Sequence, residues 1–243
     1  MRFGNSNPPI VEAHLITNAT RRRRAGALGI ASVPLLVAGF LLIGIDAPGS
    51  DEAGRKYVSY FTDNTDQIWI GSILTLIGLT AFLAFLVGGL RDVLRRPEPH
   101  ADGFPGLVVA AGTAWALFTL VGVTLIAGTA GAADFFEGFT LDADTARLML
   151  GMSWLPSIYD GLAACVVVAA TSLGATRTGT LPKAFARAGF VVAAVLFVGA
   201  FVGVAGLLFP LWVLAVSVVL IKRHATETQS PTVYAQRPAS SPV

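Results

Sequence analysis

From Ile68 to Leu90 the chain runs for 23 residues without one Asp, Glu, Lys or Arg. As a single helix this stretch measures about 34 Å, enough to cross roughly 30 Å of hydrocarbon. Inside lipid a backbone segment must satisfy its own N–H and C=O groups, so such a run is helical or part of a closed barrel. Its period-free apolar character and its length favour the helix. Comparable runs cover Ala25–Ile45 and Leu107–Ala130. A fourth ends near Gly174 and begins between Leu148 and Leu155, where Pro156 blurs the start. Composition agrees. The 243 residues are 54% hydrophobic and only 13% charged, about half the charge that a soluble surface carries.

The last apolar stretch, Ala188–Ile221, has 34 residues. One helix of that length would reach about 51 Å, far beyond the hydrocarbon thickness. Two shorter helices fit better, turning near Gly203–Gly206 with Pro210 opening the second. The expected fold is therefore an all-α integral membrane bundle of six transmembrane helices. Its spans are placed at about 25–45, 68–90, 107–130, 153–174, 188–204 and 207–222. Residues 1–24 and 223–243 are expected to be disordered cytoplasmic tails.

Charge distribution supports six spans over five. With the N-terminus inside, 14 of the 17 basic residues fall on cytoplasmic pieces, and only Arg55, Lys56 and Arg147 fall outside. The positive-inside rule predicts such a bias, and five spans would move Lys222 and Arg223 to the wrong side. Both termini are thus expected in the cytoplasm, with the chain in a bacterial inner membrane. The block Arg21–Arg24 reads as a topology anchor, not as a nucleic-acid patch. The uncharged run after it is longer than a signal-peptide core, and Pro34 is tolerated within it.

The outer loops are acidic. Asp46, Asp51, Glu52, Asp63 and Asp66 lie in the first, and Asp134, Glu137, Asp142 and Asp144 in the second. Ser50 is positioned to cap a short amphipathic helix carrying Ala53, Tyr57 and Phe61 on one face. Asp142 or Asp144 gives a similar signal ahead of Ala146–Leu150. Trp69 and Trp154 fit an aromatic belt at the outer interface.

These features together resemble the six-helix multi-pass membrane proteins of unknown function found in actinobacteria. The resemblance rests on the aromatic loop helix with Tyr57, Tyr60 and Phe61, a span ending in Leu90-Arg91, the segment Arg177–Pro182 and the terminal Leu211–Leu220. It covers most of residues 25–222. It implies topology and carries no catalytic residue. An Ala-, Gly- and Val-rich, lysine-poor composition points to the same kind of GC-rich genome.

One residue breaks the apolar pattern. Asp160 is the only charge inside an apolar run, and Ser153, Ser157, Asp160, Ala164, Val167 and Thr171 recur at three- and four-residue steps along one helix face. A carboxylate at membrane depth costs at least about 2.5–3.5 kcal/mol, so it should face protein or water. It is either a proton carrier or cation ligand, or an interfacial residue bonded to neighbouring hydroxyls. Thr119 and Trp115, with Gly112 and Gly122, make a corresponding stripe on the third span. Thr75, Thr113, Thr119 and Thr124 could line a path, but threonines in spans more often bond the carbonyl one turn back. Gly71 and Gly78, and the pair Gly199-x-x-x-Gly203, are expected at helix-packing faces, and whether the bundle forms a homo-oligomer through the fifth span stays open.

Other chemistry is poorly supported. Cys165 is the sole cysteine, which excludes a disulfide framework and a thiolate metal site. His14, His100 and His224 all lie outside the apolar runs, so no haem ligand sits at membrane depth. No phosphate-binding loop, His-Glu-x-x-His helix or calcium loop is present. No cofactor, metal or nucleic acid is expected. Three functions stay open: a non-enzymatic protein binding a membrane lipid or a partner membrane protein, a small proton-linked permease using Asp160, and an enzyme on lipid-linked substrates using Asp160 with Asp142 or Asp144.

Overall fold

The computed structural model describes residues 8–94, 103–179, 181–202 and 205–228, with side chains described over 23–92, 94, 103–179, 181–201 and 207–222. Among them every regular element is helical. α1 (Pro8–Gly44) leads through a short turn to α2 (Gly54–Asp63) and then α3 (Thr65–Phe85). A π-helical turn (Leu86–Leu90) joins α3 to α4 (Arg91–Leu94), and α5 (Gly103–Phe135), α6 (Ala143–Thr178), α7 (Lys183–Val202) and α8 (Ala205–Thr228) follow. Five helical segments are long and apolar enough to cross a membrane, in α1, α3 with its π turn, α5, α6 and α7. Leu207–Lys222 in α8 is a shorter apolar helix.

The exterior is that of a protein solvated by lipid. On α3, Gly71, Ser72 and Gly78 are buried and Thr75 is 0% exposed, while Ile73 and Ile77 are 52% and 49% exposed. Small and polar residues thus face inward and large aliphatic ones outward, the reverse of a soluble helix. The buried hydroxyls cost little because each bonds its own helix. Ser72 donates to Ile68 O at 2.7 Å and Thr75 to Gly71 O at 2.9 Å.

The long helices close into a ring. α1 packs on α3 and α8, α3 on α5, α5 on α6, α6 on α7, and α7 on α8. Gly71 and Gly78 set the α1–α3 approach. A Cβ on Gly71 would lie 2.9 Å from Gly39 O, and one on Gly78 2.8 Å from Leu36 Cγ. On α5, a Cβ on Gly122 would lie 2.9 Å from Ser153 O of α6. Dispersion across such close contacts replaces the hydrophobic drive that lipid does not supply.

The π turn keeps one face inward. Phe82, Leu86, Leu90 and Leu94 recur every four residues, and all are buried. In an α-helix each four-residue step drifts by about 40°. The wider turn, in which Arg91 N–H reaches Leu86 O, absorbs that drift. At the ring's centre the aromatic rings of Phe82, Trp115, Phe209 and Trp212 pack edge-on, tilted and stacked at centroid distances of 4.9–6.1 Å.

α2 lies over α5 and α6. Its buried face is Tyr57, Tyr60 and Phe61. Tyr60 donates to Ile43 O at 2.6 Å, Tyr57 donates to Gly49 O at 2.7 Å, and the Arg147 guanidinium sits 5.0 Å over the Tyr57 ring.

Several boundaries differ from those read in the sequence. α2 begins after Ala53, which is exposed at its N-cap with no side-chain cap, so Ser50 does not cap it. Tyr60 takes the place expected of Ala53 because its hydroxyl can reach a free carbonyl at the end of α1. Ala146–Leu150 is not a separate loop helix. α6 is continuous from its Asp142 cap through Pro156, because a proline in lipid costs less when neighbouring helices hold the chain. Pro210 lies inside α8, which opens at Ala205. Helix also extends into the expected tails, back to Pro8 and on to Thr228. Composition marks where lipid ends, and a helix can continue past that point. Gly203 lies outside the described residues.

Candidate functional site

Gly122 brings α5 against α6, and that approach sets Thr119, one turn along, opposite Asp160. The Thr119 hydroxyl donates to the Asp160 carboxylate, 3.0 and 2.9 Å from its two oxygens. Thr119 is buried and Asp160 partly buried, near the middle of α6. The two are 41 residues apart in the chain.

Beside this pair is a cavity of about 280 Å³. α5 contributes Trp115, Phe118, Thr119, Gly122 and Ile126, and α6 contributes Ser153, Ser157, Asp160 and Ala164. Phe40 and Ile43 of α1, Gly199 and Ala200 of α7, and Leu207 of α8 complete the wall. Three lining residues, Gly44, Trp154 and Leu207, are exposed and mark the rim. Of the lining residues, Trp115 belongs to the central aromatic group, and Ile43 and Ile126 belong to the cluster under α2. A space of this size with mostly apolar walls and one polar corner has the character of a small-ligand site.

The serines at the polar corner are already engaged. Ser153 donates to Leu150 O at 2.7 Å and Ser157 donates to Trp154 O. Neither hydroxyl proton is left for Asp160. On the outer side, Phe118 stacks on Tyr159 with ring centroids 5.2 Å apart, holding the α5–α6 seam next to the acid.

Asp160, Ser157, Ser153, Thr119 and Trp115 therefore share one cavity. Thr171 does not. It is 0% exposed deeper in α6, and its Oγ1, like Trp212 Nε1, is buried without a hydrogen-bond partner. Gly199, expected to pack a helix, lies on the cavity wall. Of the four threonines that could have lined a path, only Thr119 does. Phe40, Ile43 and Ala200 carry no sequence signal, since an apolar residue within an apolar run looks the same whether it faces lipid or a void.

The loop carboxylates stand apart from this cavity. Asp142 caps α6, accepting from Asp144 N at 3.0 Å, Thr145 N at 2.9 Å and the Thr145 hydroxyl at 2.6 Å. Those bonds, the Thr145 hydroxyl foremost, hold its carboxyl below the ordinary value. Asp144 is exposed, and neither residue lines the cavity. Among the described residues no three His, Cys, Asp or Glu side chains gather as a metal site would require.

Fold and exterior define the class: a multi-pass helical membrane protein with a cavity inside its helix ring. Comparison with known proteins finds no match to this chain among family models, curated proteins or solved structures.

Proposed function

We propose that this protein binds a small amphiphilic molecule in its cavity and acts as a binding or accessory component of the membrane rather than as an enzyme. The observation that carries this reading is the cavity itself. It is apolar around most of its wall, open at a rim of Gly44, Trp154 and Leu207, and polar at the one corner where Thr119 meets Asp160. Catalysis by acid and base needs two such groups within reach of one point, and among the described residues Asp160 is the only ionisable group on the wall.

The reading includes an orientation. With six spans, α8 included, and the positive-inside bias, both termini face the cytoplasm and the cavity rim lies toward the outer side of a bacterial inner membrane. The kinship with six-helix actinobacterial membrane proteins belongs to the same proposal, as does contact with membrane lipid or a partner membrane protein at the exposed apolar faces.

Native mass spectrometry of the chain extracted in mild non-ionic detergent tests it. Wild type should retain a discrete added mass that is reduced in Asp160→Asn. An empty protein in both cases would sink the binding reading. A second reading, a proton-linked permease, draws on Asp160 as the sole charge within an apolar run, bonded across to the neighbouring helix. If proton flux in proteoliposomes is unchanged by Asp160→Asn, that mechanism fails.

A further inference from the structure

A carboxylate offers about four acceptor positions. At Asp160 one hydroxyl proton, that of Thr119, is shared between the two oxygens. The serines beside it are spent on their own backbone. None of the 19 residues around the cavity is Lys, Arg or His. The apolar runs of the chain contain no cation either. Acceptor capacity, and negative charge whenever the acid is ionised, therefore face a space walled by Trp115, Phe118 and Phe40. Ionisation in such a place is costly unless something pairs with it, and the described residues of the lining supply no pairing cation.

Resting on the binding reading above, we propose that the ligand is a hydrophobic organic cation. It is an alkyl- or arylammonium whose nitrogen sits at Asp160 and whose apolar body lies along the aromatic wall. The acid provides the countercharge and the aromatic faces add cation–π attraction. An anionic or phosphate-bearing head would meet the carboxylate with no basic residue to offset repulsion, so the same geometry rejects it.

Three probes that share one body separate these terms: (4-phenylbutyl)trimethylammonium, 4-phenylbutanol and 4-phenylbutanoate. Binding of each is measured calorimetrically to the full chain in nanodiscs of zwitterionic lipid, with empty nanodiscs subtracted. The cation should bind roughly tenfold or more tighter than the alcohol, and the anion should not bind. Asp160→Asn should bring the cation down to the alcohol's affinity and leave the alcohol unchanged. Asp160→Glu, which keeps the charge, should preserve the preference and guards against a variant that fails to fold. Equal affinity for cation and alcohol, or a cation affinity indifferent to Asp160→Asn, overturns the cation assignment while leaving a binding cavity. If no probe binds wild type, the assignment and the binding reading fall together.

Discussion

Two buried threonines on facing helices show how much a single hydroxyl depends on its surroundings. Thr119 donates to an acid, while Thr171 holds a buried hydroxyl without a partner. Replacing an unsatisfied buried hydroxyl by a methyl of the same shape is neutral or stabilising. Thr171→Val should therefore leave stability unchanged or raise it by up to about 1 kcal/mol. Thr119→Val should lower it, because the Asp160 carboxylate loses its donor. Thermal unfolding of both variants in one detergent gives the comparison, and equal shifts would mean that the two sites do not differ in this way. Tyr60 supplies a pH-dependent case. Burial first, and the Asp46 charge second, raise its pKa above the ordinary 10.0. A raised pKa means that the folded state keeps its proton where the unfolded state has lost it. The contribution is therefore whole below about pH 10 and is lost as pH climbs above that value. Tyr60→Phe should cost about 1 kcal/mol near neutrality and flatten the alkaline limb of a stability–pH profile. A limb as steep as wild type would show that Tyr60 does not titrate there.

At the scale of elements, glycines decide which helices meet. Gly78→Val would place side-chain atoms where Leu36 already sits, so α1 and α3 must part, at about 1–3 kcal/mol. Gly122→Ala is the more informative change. Its methyl would press on Ser153 O and push α5 from α6, stretching the Thr119–Asp160 bond. Ligand retention should fall more than stability, and native mass spectrometry beside a melting curve separates the two. The Asp142 cap can be tested in the same way. Asp142→Ala should lower the melting temperature, and Asp142→Ser, which restores an N-cap acceptor, should recover most of it. Equal losses would mean that the capping bonds contribute nothing. These elements also show what could be read in the chain beforehand. Ile68–Leu90 announced a helix through its lack of charge, and Asp160 announced a polar site by being the exception. The pairing of Asp160 with Thr119 was not legible, because it depends on the register of α5 against α6, which Gly122 sets by contact. Ser50 misled for a related reason. A residue type favoured at helix starts says nothing of where the turn before it goes.

For the whole molecule, the question is how many helices cross. Among the described residues five have the length and apolarity to do so, and Leu207–Lys222 is shorter. Six crossings put the end of α8 on the same side as the start of α1, and five put them on opposite sides. A cytoplasm-sensing fluorescent reporter fused after Thr228 should be bright on the six-span reading. A periplasm-active enzyme inserted between Phe136 and Gly138 should also be active. A dark C-terminal fusion would return α8 to a surface or half-inserted position. It would also remove the orientation argument for the cavity.

Trp115 joins two features of the molecule: it lines the cavity, and it packs with Phe82 and Phe209 in the buried aromatic group that also holds Trp212. On the binding reading, a guest would leave by the rim of Gly44, Trp154 and Leu207 through which it entered, and a route past Trp115 would have to displace its packed ring partners. If the proposed binding holds, occupancy asks for no movement of those rings, which would suit a gauge of what is present at the rim better than a conduit past them.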